Sequence, residues 1–143
     1  MPSQRHILIV EDNPADVRLM REALRDLQPA VTVHAVGDGD QALLFLRRQD
    51  EHAGAPRPRL IFLDFNLPKT SARDLLRQIK GDEHLRLIPV AVLTTSDVQK
   101  DIRDAYESQA SCYLRKPADL DAFFDTIRST AHFWLDVCSN AEA

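Results

Sequence analysis

The fold is decided by residues 60–69, which read LIFLDFNLPK. Four apolar residues run directly into the carboxylate of Asp64, and an uninterrupted apolar run bounded by turn-forming residues indicates a strand buried on both faces. Pro68 disfavours helical backbone at Leu67, so the strand should open into an irregular loop. We therefore expect Asp64 at the end of a central strand. An aspartate that merely begins a turn is the simpler alternative, and the other strand ends decide between the two.

Length and composition are those of an ordinary globular domain. The chain has 143 residues, of which 44% are hydrophobic and 28% are charged, and a chain of this length buries about two-thirds of its unfolded surface. We expect residues 1–143 to form one domain. Its core should occupy about residues 5–135, and residues 132–143 should form a C-terminal extension of the last helix and a tail.

Charge and residue usage exclude several classes of protein. The net charge is −4, and the one compact basic piece is residues 57–59 in a loop, so nucleic-acid binding is not expected. No apolar run approaches membrane length, and the N-terminus leads into a strand without the features of a signal peptide. Cys112 and Cys138 fit no metal or redox spacing. These features predict a cytoplasmic protein that does not bind membranes.

Five short apolar runs alternate with five segments of helical periodicity. The predicted strands are residues 6–10, 31–36, 60–64, a part of 87–94, and 112–114. The predicted helices follow Asn13-Pro14, the turn 37–40, Ser71, Ser96 with its capping-box spacing to Gln99, and the N-cap Asp119. Strands that alternate with helices indicate a parallel sheet with helices on both faces. We expect an α/β, flavodoxin-like (βα)5 doubly wound fold with strand order 2-1-3-4-5, whose ligand crevice lies at the carboxyl ends of strands one and three.

Three further expectations concern the parts between these elements. Residues 49–59 contain a glycine and two prolines and are interpreted as a solvated loop. The five histidines are not expected to cluster. The last helix should bury one apolar face, consisting of Leu120, Phe123, Phe124, Ile127, Ala131 and Trp134.

Polar residues follow four adjacent strand ends. Glu11 and Asp12 follow the first strand, Asp64 ends the third, Thr94 ends the fourth, and Lys116 follows the fifth. Each has an unremarkable alternative as a helix-capping, strand or solvated residue. Their joint placement at one edge of the sheet favours a functional site.

The charges at this edge predict a magnesium site. Three carboxylates in one crevice repel each other and stay ionised only beside a positive charge, and Mg²⁺ prefers oxygen ligands and often binds phosphate as well. Lys116 supplies a second positive charge, and Thr94 offers a hydroxyl. A carboxylate nucleophile that faces a metal and a lysine is the arrangement required to form an aspartyl-phosphate.

These motifs resemble the receiver domain of the two-component response regulators over about residues 5–135. The resemblance implies the following roles: Asp64 is the phosphoacceptor, Glu11 and Asp12 bind metal, the Asn66 backbone carbonyl contacts Mg²⁺, Thr94 is the switch hydroxyl, Tyr113 is the aromatic that changes rotamer with it, and Lys116 precedes a cis peptide to Pro117. Residues 11–16, 93–96 and 133–135 are similar, more narrowly, to the single-domain regulators that partner bacterial phytochromes. One position departs from the family. Ala72 stands where a glycine is usual, and alanine would cost roughly 1 kcal/mol if the backbone there had positive φ.

The resemblance implies a stand-alone response regulator without an output domain. It would receive its phosphoryl group from an external histidine kinase, and its own chemistry would be limited to Mg²⁺-dependent phosphotransfer and autodephosphorylation. One alternative is a phosphohydrolase of the haloacid dehalogenase kind, but such an enzyme would have its nucleophile on the first strand and a second acid where this chain has Asn66. A degenerate receiver that acts only as an interaction module is the other alternative.

The C-terminal segment suggests self-association. Beyond the predicted core face of the last helix, residues 132–137 place large apolar groups around more than one side of the helix, and a helix buries one face on its own sheet. We expect Phe133 and Trp134 to lie in a homodimer interface formed by helix four, strand five and helix five. The alternative is a last turn that folds back over its own domain.

Overall fold

The computed structural model describes residues 5–67, 72–95 and 99–139. Five parallel strands form one sheet in the order β2-β1-β3-β4-β5, as predicted. The strands are β1 (His6–Val10), β2 (Thr32–Val36), β3 (Leu60–Asp64), β4 (Val90–Thr94) and β5 (Cys112–Arg115). The helices are α1 (Pro14–Leu24), α2 (Gly39–Arg47), α3 (Ala72–Gly81), α4 (Gln99–Glu107) and α5 (Leu120–His132), with a short 3-10 helix at Asp50–His52 and a π-helical turn at Phe133–Val137.

β3 is the central strand, and all five of its residues are buried. It pairs with β1 on one side and with β4 on the other, where Asp64 lies opposite Leu93. A strand with neighbours on both sides and helices on both faces has no solvent-facing side, which explains its unbroken apolar sequence. The prediction that Asp64 ends a buried central strand is confirmed.

The helices that cover the two faces of the sheet differ in how many residues they bury. On one face, α1 and α5 cover β1 and β3, and α5 contributes the fully buried Ile127 and Ala131. On the other face, α3 contributes Leu75, Leu76 and Ile79, all with no exposed surface. α4 lies on this second face as well, but Ala105 is the single buried residue among its nine. α4 is therefore the helix with the least apolar attachment to the sheet.

Helix starts follow the local rules. The side chain of Asn13 accepts a hydrogen bond from the Ala15 amide, and Pro14 occupies the first helical position. Asp38 and Asp119 cap α2 and α5 in the same way. Each cap satisfies an amide that the helix itself cannot bond, so these boundaries were predictable from the sequence.

At each edge of the sheet, one outward-facing backbone group forms a hydrogen bond with a side chain from a neighbouring helix. At the β2 edge, Nη1 of Arg21 donates to the Val33 carbonyl at 3.1 Å. At the β5 edge, the Tyr113 amide donates to the Tyr106 hydroxyl oxygen at 3.2 Å. Backbone groups at an edge would otherwise be free to pair with another chain.

The histidines do cluster in part, contrary to expectation. Nδ1 of His6 and Nε2 of His34 lie 2.9 Å apart and share a hydrogen bond. The His34 ring then packs against Phe45, and Phe45 packs against His52. The contact was not foreseen because it joins β1 to β2 at a spacing of 28 residues, and only the strand register brings the two rings together.

Other expectations are corrected in detail. Leu120, predicted to belong to the core face of the last helix, is 50% exposed because it is the first residue of α5 and precedes the turn that packs on the sheet. The loop 49–59 is not simply solvated, since Pro58 is buried and Arg57 donates to the Leu46 carbonyl at 3.1 Å. The buried loop proline and this hydrogen bond hold the loop against the end of α2.

One backbone feature implied by the resemblance is absent. The Lys116–Pro117 bond is trans, which an X–Pro bond favours by about 0.5–1 kcal/mol; within the described residues, the cis peptide is Gln28–Pro29. Ala72 is buried and is the first residue of α3. The predictions for Pro68, Ser71 and Ser96 concern residues outside the described ranges.

The C-terminal turn is attached to the start of β1. Nη1 of Arg5 lies 3.1 Å from Oδ1 of Asp136, and Nδ1 of His132 lies 3.0 Å from Oδ2 of the same carboxylate. Trp134 is partly buried against the core beneath α1 and α5, whereas Phe133 is 47% exposed. Part of the expected aromatic surface thus packs on its own domain.

Across the described ranges, no helix combines the length and the apolar character needed to cross a membrane.

Candidate functional site

The predicted site residues meet at the carboxyl edge of the sheet. The amide of Glu11 bonds the Val36 carbonyl at the end of β2, and the amide of Lys116 bonds the Thr94 carbonyl at the end of β4. These bonds extend the strand pairing by one residue, so the side chains that follow β1 and β5 are held beside Asp64. Tyr113 lies further back on β5, and Phe133 and Trp134 lie outside this site.

Three carboxylates form a compact oxygen cluster. Glu11, Asp12 and Asp64 each offer one oxygen, and these atoms lie within 4.8 Å of one another. Glu11 and Asp64 are buried, whereas Asp12 faces solvent. Carboxylate oxygens that converge from a buried and an exposed side fit a hard divalent cation that keeps part of its water shell. The donor set therefore suits Mg²⁺.

Lys116 contacts two carboxylates of this cluster and a third that lies outside it. Its Nζ lies 2.9 Å from Oε1 of Glu11, 3.2 Å from Oδ2 of Asp16 and 3.6 Å from Oδ2 of Asp64. The lysine side chain is 12% exposed, so these interactions are only partly screened by water. A single ammonium group is thus shared among three carboxylates.

Burial and crowding change the protonation of Glu11. Desolvation is the largest of the causes that raise the pKa of Glu11, the hydrogen bond and the charge of Asp64 add to it, Lys116 opposes them, and the resulting pKa is about 7. A carboxyl group that titrates near neutral pH alternates between its charged and uncharged forms under physiological conditions. A divalent cation bound beside Glu11 would favour its charged form.

Lys116 is shifted in the direction that keeps it charged. Burial alone lowers the pKa of Lys116, but the hydrogen bond to Glu11 and the charges of Asp64 and Glu11 outweigh burial, and the pKa is raised. A lysine of this kind remains a cation at every physiological pH. It can therefore stabilise negative charge that arrives beside Asp64.

Asn66 joins the end of β3 to the end of β4. Its amide donates to Oδ1 of Asp64 at 2.9 Å, and its side-chain oxygen accepts from the Thr94 hydroxyl at 3.3 Å and from the Thr95 amide at 3.2 Å. Sequence reasoning used only the backbone carbonyl of Asn66 and missed this side-chain link. The Asp64–Asn66 spacing is a signal for the first of these bonds, because aspartate often accepts from the amide two residues later.

Tyr113 lies on the same face of the sheet as Thr94. Tyr113 is paired with Val92 and packs against the same core cluster as that valine. Val92 and Thr94 are two residues apart on one strand, so they share a face. The half-buried ring of Tyr113 is thus on the side of the sheet that carries α4.

Asp16 is a site residue that the sequence did not reveal as one. It lies in the first turn of α1, where the positive end of a helix favours an acid, and this local rule alone accounts for its presence. In the structure, its carboxylate is one of the three that contact Lys116, although 100 residues separate the two in the chain. No local pattern could have identified the pair.

The comparisons with known proteins agree with this geometry. Residues 7–128 match the model of the response regulator receiver domain. The chain is 42% identical over 130 residues to the response regulator Rcp1 of Synechocystis sp. (strain ATCC 27184 / PCC 6803 / Kazusa), which covers 91% of this chain and 88% of Rcp1. The structure of the phosphorylated cyanobacterial phytochrome response regulator RcpA superposes with a TM-score of 0.93 at 41% identity, over 98% of this chain and all of that one. The Mn²⁺-bound form of Rcp1 superposes with a TM-score of 0.85 at 39% identity, over 96% of this chain and 99% of that one.

A parallel sheet with a carboxylate cluster and a lysine at its carboxyl edge defines a receiver domain, and the chain belongs to the response regulator receiver family. Within that family it is similar to stand-alone phytochrome response regulators.

Proposed function

We propose that this protein accepts a phosphoryl group from a histidine kinase onto Asp64, with the help of Mg²⁺. The observation that carries the proposal is the position of Asp64, at the end of the central strand, between the carboxylate cluster and Nζ of Lys116 at 3.6 Å. In the transfer, a carboxylate oxygen of Asp64 forms a bond to phosphorus. The bond from phosphorus to the donor nitrogen breaks, and that nitrogen keeps the electron pair and takes up a proton.

The remaining site residues bind and neutralise the charges. Asp12, Asp64 and the Asn66 carbonyl would hold Mg²⁺, and Glu11 would hold a metal-bound water. When bound, Mg²⁺ supplies positive charge to the oxygens of the transferred group. Lys116 donates to a second oxygen from a buried position, where a charged hydrogen bond is stronger than in water.

Phosphorylation would switch the protein through Thr94 and Tyr113. A phosphoryl oxygen on Asp64 offers the Thr94 hydroxyl a charged acceptor in place of the Asn66 side-chain oxygen, 3.3 Å away. Movement of Thr94 towards Asp64 frees space on the face that Tyr113 shares, and the tyrosine ring turns into that space. A two-state element is thereby biased by one local charge.

The relatives support a specific partner. Rcp1 and RcpA are response regulators, and RcpA is described as a phytochrome response regulator. We infer that the kinase is a bacteriophytochrome and that the protein works in the cytoplasm, without contact with nucleic acid or membrane. It acts as a signalling protein, not as an enzyme with its own substrate, since its chemistry ends with loss of the phosphoryl group from Asp64 to water. Residues 1–143 then serve as one receiver domain.

A homodimer through α4, β5 and α5 belongs to the same proposal. Large apolar side chains are exposed along these elements and the turn that follows them: Tyr106 and Leu120 at 50%, Phe133 at 47% and Val137 at 62%. Large apolar side chains left at the surface are typical of an interface where they form a patch. Phe133 would be the anchor, since Trp134 is already packed in part against its own core.

Phosphorylation is tested by intact mass. Wild type incubated with a small phosphodonor and Mg²⁺ should gain one phosphate, and Asp64→Asn should gain none. Asp74→Asn is the matched control, because it makes the same change on the exposed side of α3 and should be phosphorylated like wild type. A phosphate on Asp64→Asn would contradict the assignment, and undiminished phosphorylation of wild type after chelation of Mg²⁺ would contradict the metal.

The dimer is tested by light scattering at tens of micromolar protein. Wild type should have the mass of two chains, and Phe133→Asp with Trp134→Asp the mass of one. Leu87→Asp is the control, because it adds a charge at another exposed apolar residue. A monomeric wild type, with or without phosphate, would remove the dimer from the proposal.

A further inference from the structure

We infer that Asp16 is a positioning residue that holds Lys116 away from Asp64 in the resting state, and so slows phosphorylation. The inference rests on the proposed function of Asp64 and adds to it a residue whose effect is inhibitory. It is carried by the contacts of one ammonium group.

The distances rank the three partners of Lys116. Its Nζ lies within hydrogen-bond reach of Glu11 at 2.9 Å and of Asp16 at 3.2 Å, but it is 3.6 Å from Asp64. The contact to the phosphoacceptor is therefore longer than a hydrogen bond. In the resting site, the donors of the lysine are directed towards the other two acids.

Asp16 contacts the lysine from outside the metal site. Its side chain is 30% exposed, compared with 2% for Glu11 and 4% for Asp64. Asp16 is not a member of the oxygen cluster that Glu11 and Asp64 form with Asp12. It therefore pulls Lys116 towards the rim of the site without being placed to bind the metal.

The position of Asp16 is fixed by α1. The helix begins at Pro14, its first turn contains Asp16, and the Asn13 side chain caps it. The backbone at Asp16 is thereby fixed, so its carboxylate can follow the lysine only as far as rotation of its own side chain allows. Its contact with Lys116 should therefore lengthen if Nζ moves towards an oxygen on Asp64.

The contact between Lys116 and Asp16 borders an open cavity. This cavity of about 730 Å³ is lined by Asp16, Thr95, Arg115, Lys116 and Pro117 among others, and Asp64 is not part of its lining. The Asp16 carboxylate is 30% exposed, so water can solvate it when the lysine leaves. The contact can therefore break without opening the packed core.

Competition between the two anions sets the expected effect. Any phosphoryl group on Asp64 must draw Lys116 from Asp16, and the strength of that contact is lost when it does so. Asp16→Asn keeps the shape and removes the charge, so the lysine should be released. The initial rate of phosphorylation should then rise by roughly two- to fivefold, which corresponds to one partly exposed ion pair.

The experiment follows the mass of the intact protein over time with phosphoramidate as donor and saturating Mg²⁺. Wild type, Asp16→Asn and Asp16→Glu are compared, and Asp16→Glu should return the rate towards that of wild type. Glu22→Gln is the matched control, because it removes one negative charge from the exposed side of the same helix, and its rate should equal that of wild type. The series is repeated in 1 M KCl and across a Mg²⁺ titration.

Each outcome decides a different point. A rate ratio that persists in 1 M KCl, with unchanged Mg²⁺ dependence, supports the contact with Lys116, because salt screens a partly buried ion pair much less than it screens separated exposed charges. A ratio that falls to one in high salt, or equals that of Glu22→Gln, would assign the effect to general charge and overturn the inference. A large loss of Mg²⁺ affinity in Asp16→Asn would make Asp16 a metal ligand and overturn it as well. If wild type itself gains no phosphate, the proposed function fails, and the role of Asp16 fails with it.

Discussion

The two edges of the sheet form the same kind of hydrogen bond with a helix side chain, but they differ in the packing of the neighbouring helix. At β2 and at β5, one side chain from a helix bonds an edge backbone group, Arg21 in the first case and Tyr106 in the second. Behind the β2 edge is Phe45, which is 4% exposed and packs against the ring of His34. Behind the β5 edge is α4, which buries Ala105.

Polar contacts hold α4 where apolar burial does not. Arg73 of α3 donates to Asp101 at 2.9 Å and lies 3.4 Å from Asp104, and its guanidinium stacks over the Phe65 ring at 4.9 Å. Ion pairs and single hydrogen bonds can be exchanged at low cost, whereas a packed aromatic ring cannot be moved without opening a cavity. The β2 edge is thus held by a packed aromatic ring, whereas the β5 edge, next to Thr94, is held by polar contacts that exchange at lower cost.

The largest expected effect comes from breaking the fixed edge. Phe45→Ala should lower the free energy of unfolding by about 3–5 kcal/mol, because it removes a buried ring and leaves a cavity. Ile102→Ala on α4, where the side chain is half-buried, should cost about 1 kcal/mol or less. Urea denaturation of both variants measures the difference. Equal losses would mean that α4 is packed as firmly as the β2 edge.

A second effect is the pH dependence that the His6–His34 pair contributes at the β2 edge. Burial lowers the pKa of His34, and the charges of His6 and Arg21 lower it further; burial also lowers the pKa of His6. The folded state therefore binds fewer protons than the unfolded chain below the ordinary histidine pKa of about 6.5. The stability that the pair contributes should be complete above that pH and should be lost as the pH falls through the lowered folded-state values.

Thermal denaturation between pH 8 and pH 5 tests this dependence. His34→Gln should flatten the decline of the melting temperature on the acid side by about 2–4 °C. His84→Gln is the control, since His84 is exposed and remote in sequence from the pair. An identical acid decline in wild type and His34→Gln would show that other groups control it.

The smallest expected effect concerns the hydrogen bond at the β5 edge. Tyr106→Phe removes the acceptor of the Tyr113 amide and should cost roughly 0.5–1.5 kcal/mol locally, with little change in global stability. Hydrogen exchange at the Tyr113 amide should become faster, while Arg21→Gln at the opposite edge should leave that amide unchanged. If exchange at Tyr113 is unaffected by Tyr106→Phe, the hydroxyl does not hold the edge.

Local rules explain why much of the fold could be predicted. An apolar run such as residues 60–64, a cap such as Asn13 followed by Pro14, and a polar residue at each strand end are signals within a few residues. The strand-order rule for such sheets then predicts that Glu11 and Asp64 lie at the same edge.

Contacts between distant residues could not be predicted. The pairs His6–His34 and Arg73–Asp101 are each separated by 28 residues, and Asp16–Lys116 by 100. Each depends on the register of strands or the angle of a helix, and single-residue patterns contain no information on either. The exposure of Leu120 was missed for a related reason, since helical periodicity does not show which turn of a helix reaches the sheet.

The ion pair between Arg5 and Asp136 joins the residue before β1 to the turn after α5. The two ends of the folded core are therefore neighbours in space. Neighbouring ends are the condition under which a fold tolerates a new start and end elsewhere. A permuted chain, closed by a short linker beyond these two residues and opened in an exposed loop, should therefore build the same sheet. The order in which the strands are synthesised would change, while their order in space would not.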